Sequence, residues 1–523
     1  MKFTRILLVS CLCAFSPNAF SQWSSVLNPT STSTKAAAVA VDQVGNIYVG
    51  GSAFANTTEK ENYYLVKYNP QGDTLWTRTY NRANGSDQIA KIVIDGDNNV
   101  IVTGTSYSTS NAEDIVTLKY DPSGNILNSY IYDGVNHLAD KATDLISDNS
   151  GNYYIGGISR AVAYSGYVLI KTNHELVRKW AKVENPYYGS KIKKIAFNPV
   201  CQRIAVTGYH SEWSNKALIG TYVYDSTGVK LWGKYYQKVV DFSAVGYDVM
   251  IYNEGEVYVC GYETNAESNK WEAILIKFNN VGDTVWTKKV SAGTGLLSIY
   301  KSMTHDAEGN IYVTGYKDNT IITTKYNLEG SVLWSKEAEG KLYDADNDTF
   351  ESIKIDNNGN VLVLTNCFSG GGTGTQLIKY SGTGNHLWTK QYKDSPSLMD
   401  YPTTFTIDAA NNIYAVISSR NNSYYFDMAT VKFTATSTGL LPVKSELQEM
   451  SIYPNPSTGT FYVDGKNGDR IVTVYSSNGL KIFQTELPAA DKSIHLEDMP
   501  NGLYFIKLEG NGISAYTKIM IRR

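Results

Sequence analysis

Seven aromatic side chains stand where recognition chemistry could be done. Tyr209, Tyr262 and Tyr316 each follow a glycine at the end of an apolar run, Trp213 and Trp271 lie in the segments just beyond two of them, and Tyr187-Tyr188 sits in a neighbouring segment. Flat aromatic faces suit the apolar faces of sugars or another protein's surface. The alternative is packing beneath long loops in a chain that holds 40 tyrosines. Asp344, Asp346 and Asp348 alternate in a way that could ligate calcium, an oxygen-seeking ion. The segment lacks the glycine and the terminal glutamate of an EF-hand loop, so a solvated acidic turn is the simpler reading, and calcium is the only cofactor that comes into question. The six histidines are scattered, and there is no His-Glu-x-x-His, no Gly-x-Ser-x-Gly and no phosphate-cradling glycine loop. No residue is therefore assigned a catalytic role.

The elements that must position these residues come from a repeat. An Asp-x-x-Gly-Asn turn followed by an apolar strand and a glycine is clearest at Asp42, Asp148 and Asp306, with weaker copies at Asp95, Asn198, Asn253, Asp356 and Asp408. Successive anchors lie 50 to 55 residues apart, the span of one four-stranded blade. Strand A precedes the anchor and alternates apolar with polar; strand B follows it; strand C ends in Lys-Tyr or Lys-Phe, as at Leu65-Val-Lys-Tyr68. A tight turn then leads to strand D, which carries Trp76, Trp180, Trp232, Trp286, Trp334 or Trp388, with Asn128 in their place in the second repeat.

The eighth repeat supplies strands A to C and then runs into a Ser/Thr-rich stretch. Its missing strand D is expected at the other end, where Trp23 precedes Asp42 by the interval that separates Trp76 from Asp95. Pairing of that strand with the last three closes the ring and removes an open edge. The expectation is an all-β, eight-bladed β-propeller over residues 22–433. Its A-to-B and C-to-D turns share one face, and the long, variable B-to-C and D-to-A loops share the other, which is the candidate binding surface.

These repeats resemble the bacterial SBBP-type β-propeller repeats and, more distantly, the tryptophan-docking repeats of quinoprotein-like propellers. The resemblance implies a fold and leaves the task open, because such blades host unrelated functions. A quinoprotein-like redox enzyme would be one implication, yet no residue here carries over as a cofactor ligand.

Both ends read as addresses. Lys2 and Arg5, a short apolar run and Ala19-Phe20-Ser21 form a signal peptide over residues 1–21. A competing lipoprotein reading would place a lipid on Cys11, but the apolar run before it is short. Beyond a linker at 434–448, residues 449–523 form short alternating strands broken by proline and glycine, as in a small antiparallel β-sandwich. Its motifs, with Tyr453-Pro454-Asn455-Pro456, Gly459, Gly502, Tyr504 and Lys518, resemble the type A sorting domain of the type IX secretion system. That resemblance implies the type IX machinery as a partner and a secreted or cell-surface destination.

A net charge of -3 offers no basic field for nucleic acid, and no further stretch is long and apolar enough to span a membrane. Three widely spaced cysteines beyond the signal, with no Cys-x-x-Cys and no companion histidine cluster, argue against a disulfide scaffold or zinc site. The function classes left are a non-enzymatic glycan- or protein-binding module, a secreted propeller enzyme such as a polysaccharide lyase, hydrolase or dehydrogenase, and a structural surface component.

Overall fold

A computed structural model describes residues 21–28, 33–54, 60–83, 85–108, 112–148, 150–161, 165–184, 189–211, 217–236, 243–340, 353–369, 372–393, 399–420, 425–433, 451–464, 470–476, 481–487, 493–510 and 513–523. The chain divides into two compact units, Met1–Thr436 and Ser437–Arg523. The described residues of the first unit form eight four-stranded antiparallel sheets. Seven are meanders of consecutive strands A to D; the first runs Thr34–Val41, Ile47–Phe54, Glu61–Tyr68 and Thr74–Tyr80. The eighth joins Asp400–Ile407, Ile413–Arg420 and Phe426–Phe433 to Ser21–Leu27, so its outer strand comes from the other end of the unit. Trp23 stands opposite Lys432 in that pairing. Each sheet packs on the next, and the eighth packs on both the seventh and the first.

The A-to-B turn shows why each sheet forms where it does. Asp42 Oδ1 accepts the amides of Val44 at 3.1 Å and Asn46 at 2.8 Å, while Oδ2 accepts the Asn46 side-chain amide at 2.8 Å and the Tyr48 hydroxyl at 3.1 Å. One carboxylate thus satisfies backbone donors that a tight turn leaves unpaired. Asp148 and Asp408 make the same four bonds. Where strand C supplies a lysine within reach, an ion pair is added: Lys119 lies 2.8 Å from Asp95, Lys325 3.0 Å from Asp306 and Lys379 2.6 Å from Asp356.

Neighbouring sheets are clamped through the strand-D tryptophans. Trp76 Nε1 donates to the Pro122 carbonyl of the next sheet at 3.1 Å, and Lys67 Nζ donates to the same oxygen at 2.8 Å. Trp334 and Lys325 share the Gly382 carbonyl in the same manner. Trp23 and Lys432 share the Pro70 carbonyl of the first sheet, at 3.1 and 3.2 Å. The Trp23 and Trp334 indoles also lie over the turn glycine beside that carbonyl, Gly72 and Gly384, whereas the Arg78 guanidinium covers Gly124. A Cβ on Gly72, whose φ is +93°, would stand 2.6 Å from the Trp23 ring, so both the backbone conformation and the contact demand glycine.

Strand A carries a bulge at one place in seven sheets, with Ala37, Ala90, Thr143, Lys193, Tyr247, Lys301 and Thr403 as the extra residues. Strand A of one sheet packs on strand A of its neighbour, which brings these positions toward one another. A bulge re-aims the side chain it inserts.

The second unit holds a three-stranded sheet (Ser451–Tyr453, Thr460–Asp464, Ser493–His495) and a four-stranded sheet (Lys481–Leu487, Arg470–Ser476, Gly502–Gly510, Ile513–Ile521). They share a core that includes Phe461, Val472, Val474, Ile494, Ile506 and Ile519. Asn455 Oδ1 accepts the Met520 amide at 2.9 Å, Gly459 accepts the Leu496 amide at 2.8 Å, and the Tyr504 hydroxyl donates to the Pro500 carbonyl at 2.8 Å. Gly459, at φ +138°, backs onto Glu497, where a Cβ would meet the Cα at 2.7 Å. Tyr453 is exposed and precedes a cis peptide to Pro454; a second cis bond precedes Pro456. Gly502 pairs with Ile521, and Lys518 pairs with Phe505. The described residues contain no helix long and apolar enough to cross a membrane.

Candidate functional site

Three of the aromatic residues expected to bind a ligand come together on the loop-bearing side of the fourth and fifth sheets. Tyr262, near the end of Glu256–Thr264, and Trp271, at the head of Trp271–Phe278, stack with ring centroids 4.4 Å apart and planes at 18°. Tyr209, on Arg203–Ser211, packs into the same cluster with Val245 and Ile299. The Trp271 backbone is held from the far side, its amide donating to the Leu296 carbonyl at 2.9 Å. That loop is fixed in turn by the Gly293 and Gly295 amides on Asp318 Oδ2, at 3.0 and 3.1 Å. Such restraint lowers the entropy lost when a recognition surface orders on binding.

Two expectations change in the structure. Tyr316 belongs to another cluster, with Ile321, Ile353 and Val363, because its sheet turns it toward the seventh rather than the fifth. It is 4% exposed, and burial pushes its hydroxyl up to about 12. Tyr262, at 8% exposure, is covered by Trp271 rather than presented to solvent; the half-buried rings of Tyr209 and Trp271 form the accessible part of the group. Tyr187, Tyr188 and Trp213 lie outside the described residues, as do Asp344, Asp346 and Asp348.

The structure adds members that the chain order hides. Tyr247, the bulged residue of strand A in the fifth sheet, lies 6.1 Å from Tyr262 by ring centroids and extends the aromatic row inward. The bulged residues on either side of it are lysines: Lys193 Nζ is 5.5 Å and Lys301 Nζ 3.6 Å from the Tyr247 ring centroid. Ammonium groups at this range are attracted to the ring's negative face. Lys194, next along strand A, reaches Asp144 of the third sheet at 3.5 Å, and Lys91 of the second sheet lies 4.0 Å from the same carboxylate. Asp144 and Asp248 also lock adjacent sheets, accepting the Ile195 amide at 3.0 Å and the Met303 amide at 2.8 Å. The outcome is a wall across the fourth to sixth sheets on which Lys193, Tyr247 and the buried Lys301 follow one another. The available signal was that Lys193, Tyr247 and Lys301 hold one repeat position, but the bulge that unites them is a matter of strand register.

A cavity of about 660 Å³ opens at the turn-bearing end of the sixth to eighth sheets, between Asp306, Asp356 and Asp408. Those carboxylates are already committed to their turns, so its chemistry is structural.

Residues 451–522 match the model of the secretion system C-terminal sorting domain, and residues 22–55 match that of the beta-propeller repeat. No curated protein matches the chain. Among solved structures, it is similar to polysaccharide lyase Uly1 (10% identity, 82% of this chain and 94% of that chain, TM-score 0.44). It is also similar to the beta-propeller domain of the Trilobed protease from Pyrococcus furiosus (12% identity, 69% and 98%, TM-score 0.39). A third is a catalytically inactive virginiamycin B lyase from Staphylococcus aureus (10% identity, 79% and 99%, TM-score 0.37). The sorting domain marks this chain for export by the type IX machinery.

Proposed function

We propose that this chain, built of β-propeller repeats and carrying a type IX sorting tail, is an extracellular eight-bladed ring closed by the strand that bears Trp23. Residues 1–21 serve as its signal peptide, and it works without catalysis as a binding module for an acidic glycan. The placement of Tyr247 between Lys193 and Lys301, continuous with Tyr262 and Trp271, carries the reading. Rings with an apolar face suit the carbon side of a sugar, and lysines beside them suit its carboxylate or sulfate groups. The absence of an assignable nucleophile or general base in the sequence favours retention over turnover.

The test is binding of the full chain to uronate-bearing, sulfated and neutral polysaccharides, with product analysis on the same samples. Saturable binding to the acidic members alone is expected, weakened about ten-fold or more, roughly 1.4 kcal/mol, by Lys193→Gln with Trp271→Ala. Chain cleavage would replace this reading with an enzyme, and equal binding to neutral glycans would remove the role of the lysines.

A further inference from the structure

We propose that Asp114, Asp133 and Asp140 form a calcium site that ties the second sheet to the third. Asp114 lies on Glu113–Tyr120 of the second sheet, Asp133 on the connection between the two sheets, and Asp140 heads Asp140–Ser147 of the third. Each offers a carboxylate oxygen, and the three oxygens lie within 4.8 Å of one another. Oxygens around one calcium ion at 2.3–2.6 Å stand no more than about 5 Å apart, so a single ion can reach all three.

A second observation points to the cation. Asp114 and Asp140 are 1% and 0% exposed, yet among the described residues no donor stands in bonding geometry to Oδ1 of either. Buried carboxylate oxygens left in that state are costly, and an ion supplies what the protein does not. Their other oxygens are used: Arg82 Nη1 donates to Asp114 Oδ2, and the Gly134 amide donates to Asp140 Oδ2 at 2.6 Å.

Charge agrees with a divalent ion. Three carboxylates outnumber the positive charge of Arg82, and the cluster stays net negative even with His137, bonded to Asp133 Oδ2 at 2.6 Å, protonated. Hard oxygen ligands favour calcium over zinc. The ion would brace a junction between sheets, well apart in sequence from the Lys193–Tyr247–Lys301 wall.

Calorimetric titration of the metal-free full chain with calcium and with magnesium, alongside thermal unfolding, tests the site. Expected are one saturating calcium isotherm with Kd on the order of 10⁻⁴ to 10⁻³ M, as in extracellular modules, a Tm that rises with calcium by mass action, and weaker magnesium binding. Asp133→Asn, at an exposed position, should weaken calcium at least about ten-fold, near 1.4 kcal/mol. Asp140→Asn should abolish the isotherm while the circular dichroism spectrum stays unchanged. Absence of any calcium isotherm, or one that survives both substitutions, overturns the proposal.

Discussion

Two sets of aspartates sit at opposite ends of the same strands, and they solve opposite problems. At the turn-bearing end, Asp42, Asp148 and Asp408 commit both oxygens to amides, an asparagine and a tyrosine, and Asp95, Asp306 and Asp356 add a lysine. At the loop-bearing end, Asp114 and Asp140 are at least as deeply buried, but among the described residues each keeps an oxygen with no donor in bonding geometry. The residue type is the same; the completeness of its partnering differs. A carboxylate whose bonds close locally stabilises the frame, whereas one left open at a junction is available to something outside the chain.

The largest expected effect tests the first half of that contrast. Asp356 and Lys379 are both 4% exposed and 2.6 Å apart. Asp356→Ala should cost about 3–5 kcal/mol in denaturant unfolding, because it strands a buried ammonium and unpairs the turn amides. A loss under about 1 kcal/mol would mean that the turn carboxylates are not what holds the sheets in register.

The pH dependence sharpens the contrast. Although burial pushes the Asp356 carboxyl up, its Lys379 and Asn360 bonds outweigh that and hold it below the usual carboxylate range; Asp95 and Asp306 are held down in the same way. A carboxylate lowered on folding contributes stability that is present above its unfolded value of 3.8 and is lost as pH falls through its folded value. The stability gap between the native chain and Asp356→Asn should therefore narrow below about pH 4. Asp87, raised chiefly by burial, runs the other way: from about pH 4 upward the native chain loses stability relative to Asp87→Asn. Urea midpoints of the three proteins across pH 3 to 7 read both slopes. Parallel curves would erase the distinction between the two ends.

The smallest effect is expected at the open end. Asp140→Asn keeps an acceptor for the Gly134 amide and removes a buried charge, so without calcium it should leave stability within about 0.5 kcal/mol of the native chain or raise it. A loss of about 3 kcal/mol in metal-free buffer would place Asp140 with the structural aspartates instead.

Much of the frame was readable because it is local and repeated. The Asp-x-x-Gly-Asn turn closes within five residues, so its hydrogen bonds are written in adjacent letters, and the Lys-Tyr ending and the tryptophan that share one carbonyl recur at fixed offsets. Even the long-range pairing of Ser21–Leu27 with Phe426–Phe433 left a mark, since Trp23 keeps the interval its counterparts keep. The site was harder to read. Tyr262 and Trp271 follow each other closely and were named from the sequence, but Tyr316, one repeat on, faces a different neighbour. Tyr247 and its two lysines are not legible in the sequence, because strand A reads as plain alternation and a bulge has no letter of its own.

By itself the sequence determined an all-β chain of repeating sheets with an export tail, because turn chemistry and period-two burial act between residues near in the chain. Only the tertiary structure decided which side chains of adjacent sheets meet and which buried oxygens go unmatched. Those outcomes depend on register and on packing between strands that belong to different repeats, where a shift of one residue exchanges a lysine for an alanine.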